Sequence, residues 1–379
     1  MASYPIRVLL VEDSPVAIHI LKRILASSPD IEVVGVAHNG IEALELIPRV
    51  QPSVICTDLH MPKMSGMELI RRIMVEYPRP ILVISASVQE EDTQNVFQLL
   101  QAGALDIFPK PRTGLPSEYE QAKTELINRI KVLSGVSVFT QRFRQATPVT
   151  PAIAPKSPPA PSRSAAKPAA SLSVASPYST AAANPRLDIR SPRIVAIGSS
   201  TGGPQALHTI FKQLPAHFPL PILCVQHISE GFLQGLVDWL GLETSLRIKI
   251  AQAGEVPQPG VVYFPPERRH MQVDSQGRIS FSNSPPVAGH CPSVTVLFQA
   301  VAAYYRQSAI GILLTGMGRD GAEGLLDIAN AGGITIAQNE QSCIVFGMPR
   351  EAIALGAVQH VLGLDDIVPT LMQKIDFAR

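Results

Sequence analysis

The sequence predicts an α/β protein of two doubly wound parallel-sheet domains joined by a spacer. Three observations carry that expectation. Short apolar runs alternate with helically spaced apolar residues over residues 1–135 and again over 193–379. Residues able to do chemistry fall at the ends of those runs. A stretch of different composition, assigned here to 136–192, parts the two halves.

In the first half, Ile6–Val11, Ile31–Ala37, Ser53–Thr57, Ile81–Ile84 and Leu105–Phe108 read as strands. Between them, Ile18, Leu21 and Leu25, then Ala43, Leu44 and Ile47, then Met67, Ile70 and Met74 repeat at helical spacing. Five such units imply a parallel sheet with helices on both faces. In the second half, Ile194–Ile197, Ile222–Gln226, Ile310–Leu314 and Ile334–Ala337 are buried-strand candidates. Val261–Phe264, Met271–Val273 and Ile279–Phe281 suggest a small hairpin region, with Gln276-Gly277 as its turn.

The spacer is plain in composition. Of the 52 residues from 141 to 192, 12 are Ala, 10 Pro and 8 Ser, with no Gly and one acidic residue. Such a segment buries too little apolar surface to offset its ordering entropy, and its prolines favour a semi-rigid extended chain. Its seven basic residues read as solvation rather than as a partner site.

Over all 379 residues the chain is 46% hydrophobic and 17% charged, with 32 basic against 31 acidic residues and a net charge of +1. That balance argues against nucleic acid as a partner. Cys56, Cys224, Cys291 and Cys343 are scattered without disulfide or zinc spacing, which fits a reducing compartment. The start of the chain turns acidic at Glu12-Asp13, too soon for a signal peptide. No apolar stretch approaches the roughly 18–20 residues of a membrane span, so no membrane insertion is expected and a cytoplasmic protein is the default.

In open parallel sheets, ligands gather at the carboxyl ends of strands. In the first half those ends carry Glu12-Asp13, Asp58, Ser85 and Lys110. Clustered carboxylates suit Mg²⁺, a carboxylate beside it can attack a phosphoryl group, and a hydroxyl and an ammonium can hold the transferred oxygens. Asp13 before Ser14-Pro15 is equally a credible helix-cap region. In the second half, Gly198-Ser199-Ser200-Thr201-Gly202 follows a strand and fits G-x-S-x-G, with Ser200 at the sharp turn. A phosphate-cradling loop is the competing reading, although the Walker lysine is missing.

A serine nucleophile needs a base and an orienting acid, and two assignments compete. His227 and Asp320 both follow strands, in the order Ser…His…Asp; His360 with Asp320 would restore the hydrolase order. His208 and His217 flank an amphipathic helix, while His270 and His290 sit in loop contexts where binding is open. Cys291 beside His290 is a weaker rival nucleophile.

Residues 1 to about 132 resemble a response-regulator receiver domain, through Val11-Glu12-Asp13-Ser14, the run Thr57 to Gly66, Ser85-Ala86 and Phe108-Pro109-Lys110-Pro111. The resemblance implies a flavodoxin-like fold, Asp58 as phosphoacceptor, Mg²⁺ held by Glu12, Asp13, Asp58 and the His60 backbone carbonyl, and Ser85 and Lys110 as switch residues. His60, Ser65 and Ile107 depart from the family's habits.

Residues 193 to about 377 resemble the catalytic domain of the CheB protein-glutamate methylesterases, and receiver-linker-esterase is that family's order. The matching stretches include Ile197 to Gly203, Gln226-His227, Tyr263 to Pro266, Pro292-Ser293-Val294, Leu314 to Ala322 and Phe346 to Pro349. The resemblance implies a Rossmann-like fold, Ser200 as nucleophile, His227 as base, Asp320 as acid and Met317 as a backbone donor to the oxyanion. It implies methyl-accepting chemotaxis receptors as protein substrate, glutamine deamidation as a companion activity, a chemotaxis histidine kinase as phosphodonor and no cofactor for the esterase. Arg319 and Cys291 stand where Asn and Arg are frequent, so they bear on specificity. The alternatives are an esterase, or a non-catalytic binding module, serving another methylated protein outside chemotaxis.

Overall fold

The computed structural model of the chain describes residues 4–85, 97–111, 116–136, 138 and 191–376. The spacer of residues 141–192 therefore lies outside the described residues except for its last two positions.

In the first half, β1 (Ile6–Val11), β2 (Ile31–Ala37), β3 (Val54–Thr57), β4 (Ile81–Ser85) and β5 (Asp106–Pro109) form a sheet in the order β2-β1-β3-β4-β5. Every pairing in it is parallel. Helix α1 (Pro15–Leu25) starts on Ser14, whose hydroxyl accepts from the Ala17 N–H, with Pro15 at the first helical position. Helix α2 (Gly40–Val50) is capped by Asn39, whose Oδ1 accepts from the Glu42 N–H, while the Glu42 carboxylate accepts from the His38 N–H and the Asn39 side-chain amide. Helix α3 (Gly66–Glu76) starts on Ser65, whose hydroxyl accepts from the Glu68 N–H. Residues 97–102 are helical (α4) and α5 spans Pro116–Leu133. Val8 and Leu10 pack toward α1 and α5, whereas Leu9 and Val11 pack toward α2 and α3, as alternation along a strand dictates.

The second half is a seven-stranded, all-parallel sheet in the order β14-β13-β12-β6-β7-β9-β8. Its strands are β6 (Ile194–Ser199), β7 (Ile222–Gln226), β8 (Arg247–Ile250), β9 (Val261–Phe264), β12 (Ala309–Leu313), β13 (Ile334–Gln338) and β14 (His360–Leu362). Helices α6 (Gly203–Gln213), α7 (Leu233–Glu243) and α11 (Leu364–Asp376) cover one face; α8 (Val294–Tyr305) and α9 (Ala322–Asn330) cover the other. A short α10 (Met348–Ala354) follows β13.

Only β10 (His270–Val273) and β11 (Ile279–Ser282) form the antiparallel hairpin, turning at Gly277 with φ 78°. Val261–Phe264, expected in that hairpin, instead joins the main sheet between β7 and β8, where its four residues are all buried. Strand β8, which the apolar runs do not predict, and β14, where His360 could be read as a solvent-facing strand residue, are the sheet's edges. They are short and half-exposed, so they carry no buried apolar run.

The apolar core on the α2–α3 face of the first sheet runs without a break into the α6–α7 face of the second. At the junction, Phe97 of α4 stacks on Trp239 of α7 with ring centroids 5.6 Å apart and planes within 16°. Beside it, Gln205 Nε2 of α6 donates to the Ala104 carbonyl at 2.9 Å.

Candidate active site and acidic pocket

In the second sheet the chain order reverses at β6, whose neighbours are β12 and β7, and ligand sites form at such switch points. Ser200 leaves β6, His227 leaves β7, and Thr315 to Asp320 leave β12, so the three meet at one rim. Glycine makes the turn after Ser200 possible. Gly202 has φ 78°, and a Cβ on Gly203 would lie 1.9 Å from Gln226 Oε1. The Thr315–Gly316 strand end packs directly on the turn: the Ser200 N–H donates to the Thr315 carbonyl at 3.0 Å, and a Cβ on Gly316 would come within 2.8 Å of the Ser200 Cβ.

Gln226 ties nucleophile candidate to base candidate. Its buried amide donates to both the Ser200 and His227 carbonyls at 2.8 Å, while its Oε1 accepts the Ser199 hydroxyl at 2.6 Å. The Ser199 hydroxyl thus fixes which way the amide faces. The His227 N–H donates in turn to the Ser199 carbonyl at 2.9 Å.

His227 Nε2 lies 2.8 Å from Asp320 Oδ2. The carboxylate accepts there, so Nε2 bears a hydrogen. Nδ1 is buried and unpartnered among the described residues. Asp320 is itself anchored at the start of α8, accepting from Ser293 Oγ at 2.7 Å and from the Val294 and Thr295 N–H groups at 2.8 and 3.0 Å. Burial alone would raise its pKa. The hydrogen bond and charge of His227, followed by the Ser293 and Thr295 donors, outweigh burial and hold it well below the ordinary carboxylate range.

Ser293 and His270 also stand close to Asp320, in a different part. The Ser293 hydroxyl gives its hydrogen to the carboxylate, and its N–H donates to the Nδ1 of fully buried His270 at 3.1 Å. They fix the acid. The sequence signal for this support was Pro292-Ser293-Val294, whose Ser is the N-cap of α8.

The other candidates separate. His360 lies in edge strand β14, with β13 and β12 between it and β6, which removes it as partner of Asp320. His208 is stacked on Trp239 instead, with ring centroids 5.0 Å apart. Burial pushes the Cys291 thiol up, away from the thiolate a nucleophile needs. His290 is stacked on His227. Met317 and Arg319 are both exposed at the rim.

Receiver-side residues line a cavity together with the base candidate: Asp106, Ile107 and Arg129 share it with Gln226, His227 and Phe232. Arg129 donates to Asp106 Oδ2 at 2.8 Å and to the Ile107 carbonyl at 3.1 Å.

In the first sheet the expected residues gather as read. Glu12, Asp13 and Asp58 place carboxylate oxygens within 4.8 Å of one another. Lys110 Nζ sits 2.7 Å from Asp58 Oδ2 and 2.8 Å from Glu12 Oε2. Burial raises the Glu12 pKa, against the lowering effect of the Lys110 hydrogen bond. Lys110 is raised because its two carboxylate partners outweigh the burial that works against its charge. Ser85 is the last residue of β4, and its carbonyl accepts the Lys110 N–H at 2.7 Å. Asp58 Oδ1 accepts the Leu59 N–H at 2.7 Å, and a Cβ on Gly66 would strike the Asp58 carbonyl at 2.2 Å. His60 is exposed in the loop that follows.

Residues 8–115 match the response regulator receiver domain and 195–371 match CheB methylesterase. The chain is 39% identical over 370 residues to protein-glutamate methylesterase/protein-glutamine glutaminase 1 of Syntrophus aciditrophicus, covering 97% of this chain and 98% of that one. The chain belongs to the CheB methylesterase family. It is a CheB-family methylesterase/glutaminase, with a receiver domain in front and a methylesterase domain behind. The Nitrosospira multiformis protein-glutamate methylesterase/protein-glutamine glutaminase is likewise 39% identical, over 98% of this chain and 97% of its own. The crystal structure of the Thermotoga maritima CheB methylesterase catalytic domain is 38% identical, with a TM-score of 0.47, over 48% of this chain and 98% of that one.

Among the described residues no helix is long and apolar enough to cross a membrane.

Proposed function

We propose that this CheB-family enzyme removes methyl esters from glutamate side chains of methyl-accepting chemotaxis receptors, and deamidates glutamines in them, in the cytoplasm. Ser200 is the nucleophile, His227 the base, Asp320 the orienting acid and the Met317 N–H an oxyanion donor. The observation that supports this reading is His227 itself, with Nε2 on Asp320, a buried Nδ1 without a partner among the described residues, and a backbone tied to that of Ser200 through the Gln226 amide.

Ser200 Oγ adds to the γ-carbonyl as its hydrogen passes to His227 Nδ1. Backbone donors hold the oxyanion. The tetrahedral species collapses, methanol leaves with that proton, and water, deprotonated by His227, then cleaves the acyl-enzyme to glutamate and free Ser200. On a γ-amide the same steps release ammonia. No cofactor serves this half.

The receiver regulates that site. In our reading the domains are 1–135, the spacer 136–192 and 193–379, and phosphotransfer from a chemotaxis histidine kinase to Asp58 draws the receiver off the His227 cavity. Glu12, Asp13, Asp58 and the His60 carbonyl would hold Mg²⁺, a hard cation suited to clustered oxygens. It would offset negative charge on the incoming phosphoryl group, which Ser85 and Lys110 would then sense. The short Lys110 contacts to Asp58 and Glu12 support that role.

The test is methanol release from methylated receptor membranes, with Ser200→Ala as the blank. Loss of release in that variant is expected. Release that survives it would overturn the assignment of the nucleophile, and no release from wild type would point to another methylated protein, with Arg319 at the rim the first residue to vary.

A further inference from the structure

The base candidate is held by more than its carboxylate. The imidazole of His290 lies flat on that of His227, with ring centroids 3.8 Å apart and planes within 7°. His290 sits on a stiff support. Val287 and His290 exchange two backbone hydrogen bonds of 3.0 and 2.9 Å, and the turn between them places Ala288 at φ 51° and Gly289 at φ 85°. Three residues on, Ser293 begins the cap that grips Asp320. One segment thus fixes both the face of the base and the carboxylate at its edge.

The charges around the pair set its protonation. Asp320 lies at the edge of His227, and Arg129 comes from α5 of the receiver. Burial first, then the charge of His227 and of Arg129, push the pKa of His290 down to about 4, with Asp320 pulling the other way. Near neutral pH the His290 ring is therefore uncharged. A neutral ring over a forming imidazolium presents its π-face to the cation, whereas a second cation there would repel it.

We propose that His290 is a positioning residue for the esterase reaction, a neutral ring that fixes the plane of His227 and stabilises the imidazolium formed as Ser200 attacks. This rests on the assignment of His227 as base. It makes no bond and moves no proton; it acts through His227 alone.

The test compares full-length wild type, His290→Ala and His290→Phe on methylated receptor membranes, with phosphodonor and Mg²⁺ present. His290→Ala is expected to lower kcat about tenfold through misplacement of the base, with KM little changed. Its acid limb should move to lower pH by on the order of half a unit to one unit, because His227 loses the ring that favoured its charged form. His290→Phe restores a flat π-face and should recover kcat and the limb to near wild type. Melting curves on all three separate a folding failure from a catalytic one, and the Phe variant carries the test where the Ala variant does not fold. An unchanged kcat and acid limb in His290→Ala would overturn the proposal. So would a folded His290→Phe no better than His290→Ala, since that would require the imidazole nitrogens. Activity surviving in Ser200→Ala would instead overturn the underlying triad.

Discussion

Thr201, the residue after the nucleophile candidate, donates its hydroxyl to Asp106 Oδ2 of the receiver sheet at 3.3 Å. The same carboxylate oxygen is held by Arg129 at 2.8 Å, so the edge of the receiver reaches the turn on which Ser200 sits. With Phe97 on Trp239 and Gln205 on the Ala104 carbonyl, this contact brings the receiver against the esterase beside that turn, and in the reading proposed above these contacts hold the receiver over the site.

Phe97→Ala should therefore raise activity in the absence of phosphodonor. An aromatic pair contributes roughly 0.5–1.5 kcal/mol beyond its buried area, and about 1.4 kcal/mol changes the open-to-covered ratio tenfold. A rise of several-fold to tenfold in basal methanol release is expected. Basal activity equal to wild type would show that this stack does not hold the cover.

The acid should be indispensable to the rate. Asp320→Asn keeps the shape but removes the carboxylate that sets the His227 tautomer, and substitution of that kind lowers kcat by about 10⁴. A loss of less than about tenfold would argue against Asp320 as the orienting acid. The variant should also fold less stably, because Asp320 is a buried carboxylate that accepts from His227, Ser293, Val294 and Thr295, and hydrogen bonds to a charged group contribute about 1.5–3 kcal/mol each.

Stability against pH follows from the same group. The folded pKa of Asp320 is depressed, so its contribution is fully present above the ordinary unfolded carboxylate range and is lost as pH falls through the lower, folded value. Wild type and Asp320→Asn should differ in unfolding free energy at neutral pH and converge in strong acid. Denaturant titrations across that range measure it; a gap independent of pH would contradict the linkage.

At the receiver, Asp58→Asn should abolish the response to a small phosphodonor while leaving basal methanol release intact. Chelating Mg²⁺ from the wild type should do the same. Mass measurement of intact chain shows whether a phosphoryl group is gained, and phosphorylation of the Asn variant would move the acceptor elsewhere.

The Ser200 turn allows no side chain at its second glycine. Gly203→Ala would drive a Cβ to 1.9 Å from Gln226 Oε1, displacing the amide that ties Ser200 to His227. Since a misplacement of about 1 Å can cost 10²-fold, kcat should fall by about that factor. Near-normal kcat would mean the amide clamp is dispensable.

Much of this was legible in the residues. Buried central strands such as Val54–Thr57 and Ile222–Gln226 show as continuous apolar runs because both faces are covered. Glu12, Asp58 and Lys110 were legible because chemistry at a parallel sheet sits where strands end. Arg247–Ile250 was not, and at His360–Leu362 only a solvent-facing reading of His360 was open, since an edge strand needs no apolar run. Val261–Phe264 was misplaced because its sequence neighbours make the hairpin, and only the crossover through β8 puts it in the main sheet. Spacing left His227 and His360 as rivals; strand order separates them. The supports of the site were hidden for a different reason. Gln226 reaches Ser200, His270 meets the Ser293 N–H and His290 stacks on His227, each across more than twenty residues of sequence.

The most direct measurement of the central claim is the rate of methanol release from methylated receptor membranes by wild type and Asp58→Asn, each with and without phosphodonor and Mg²⁺. A receiver that covers a Ser200 esterase predicts stimulation in wild type, none in Asp58→Asn, and no release by Ser200→Ala in either condition. Equal release by wild type with and without phosphodonor would contradict control of the site by the receiver.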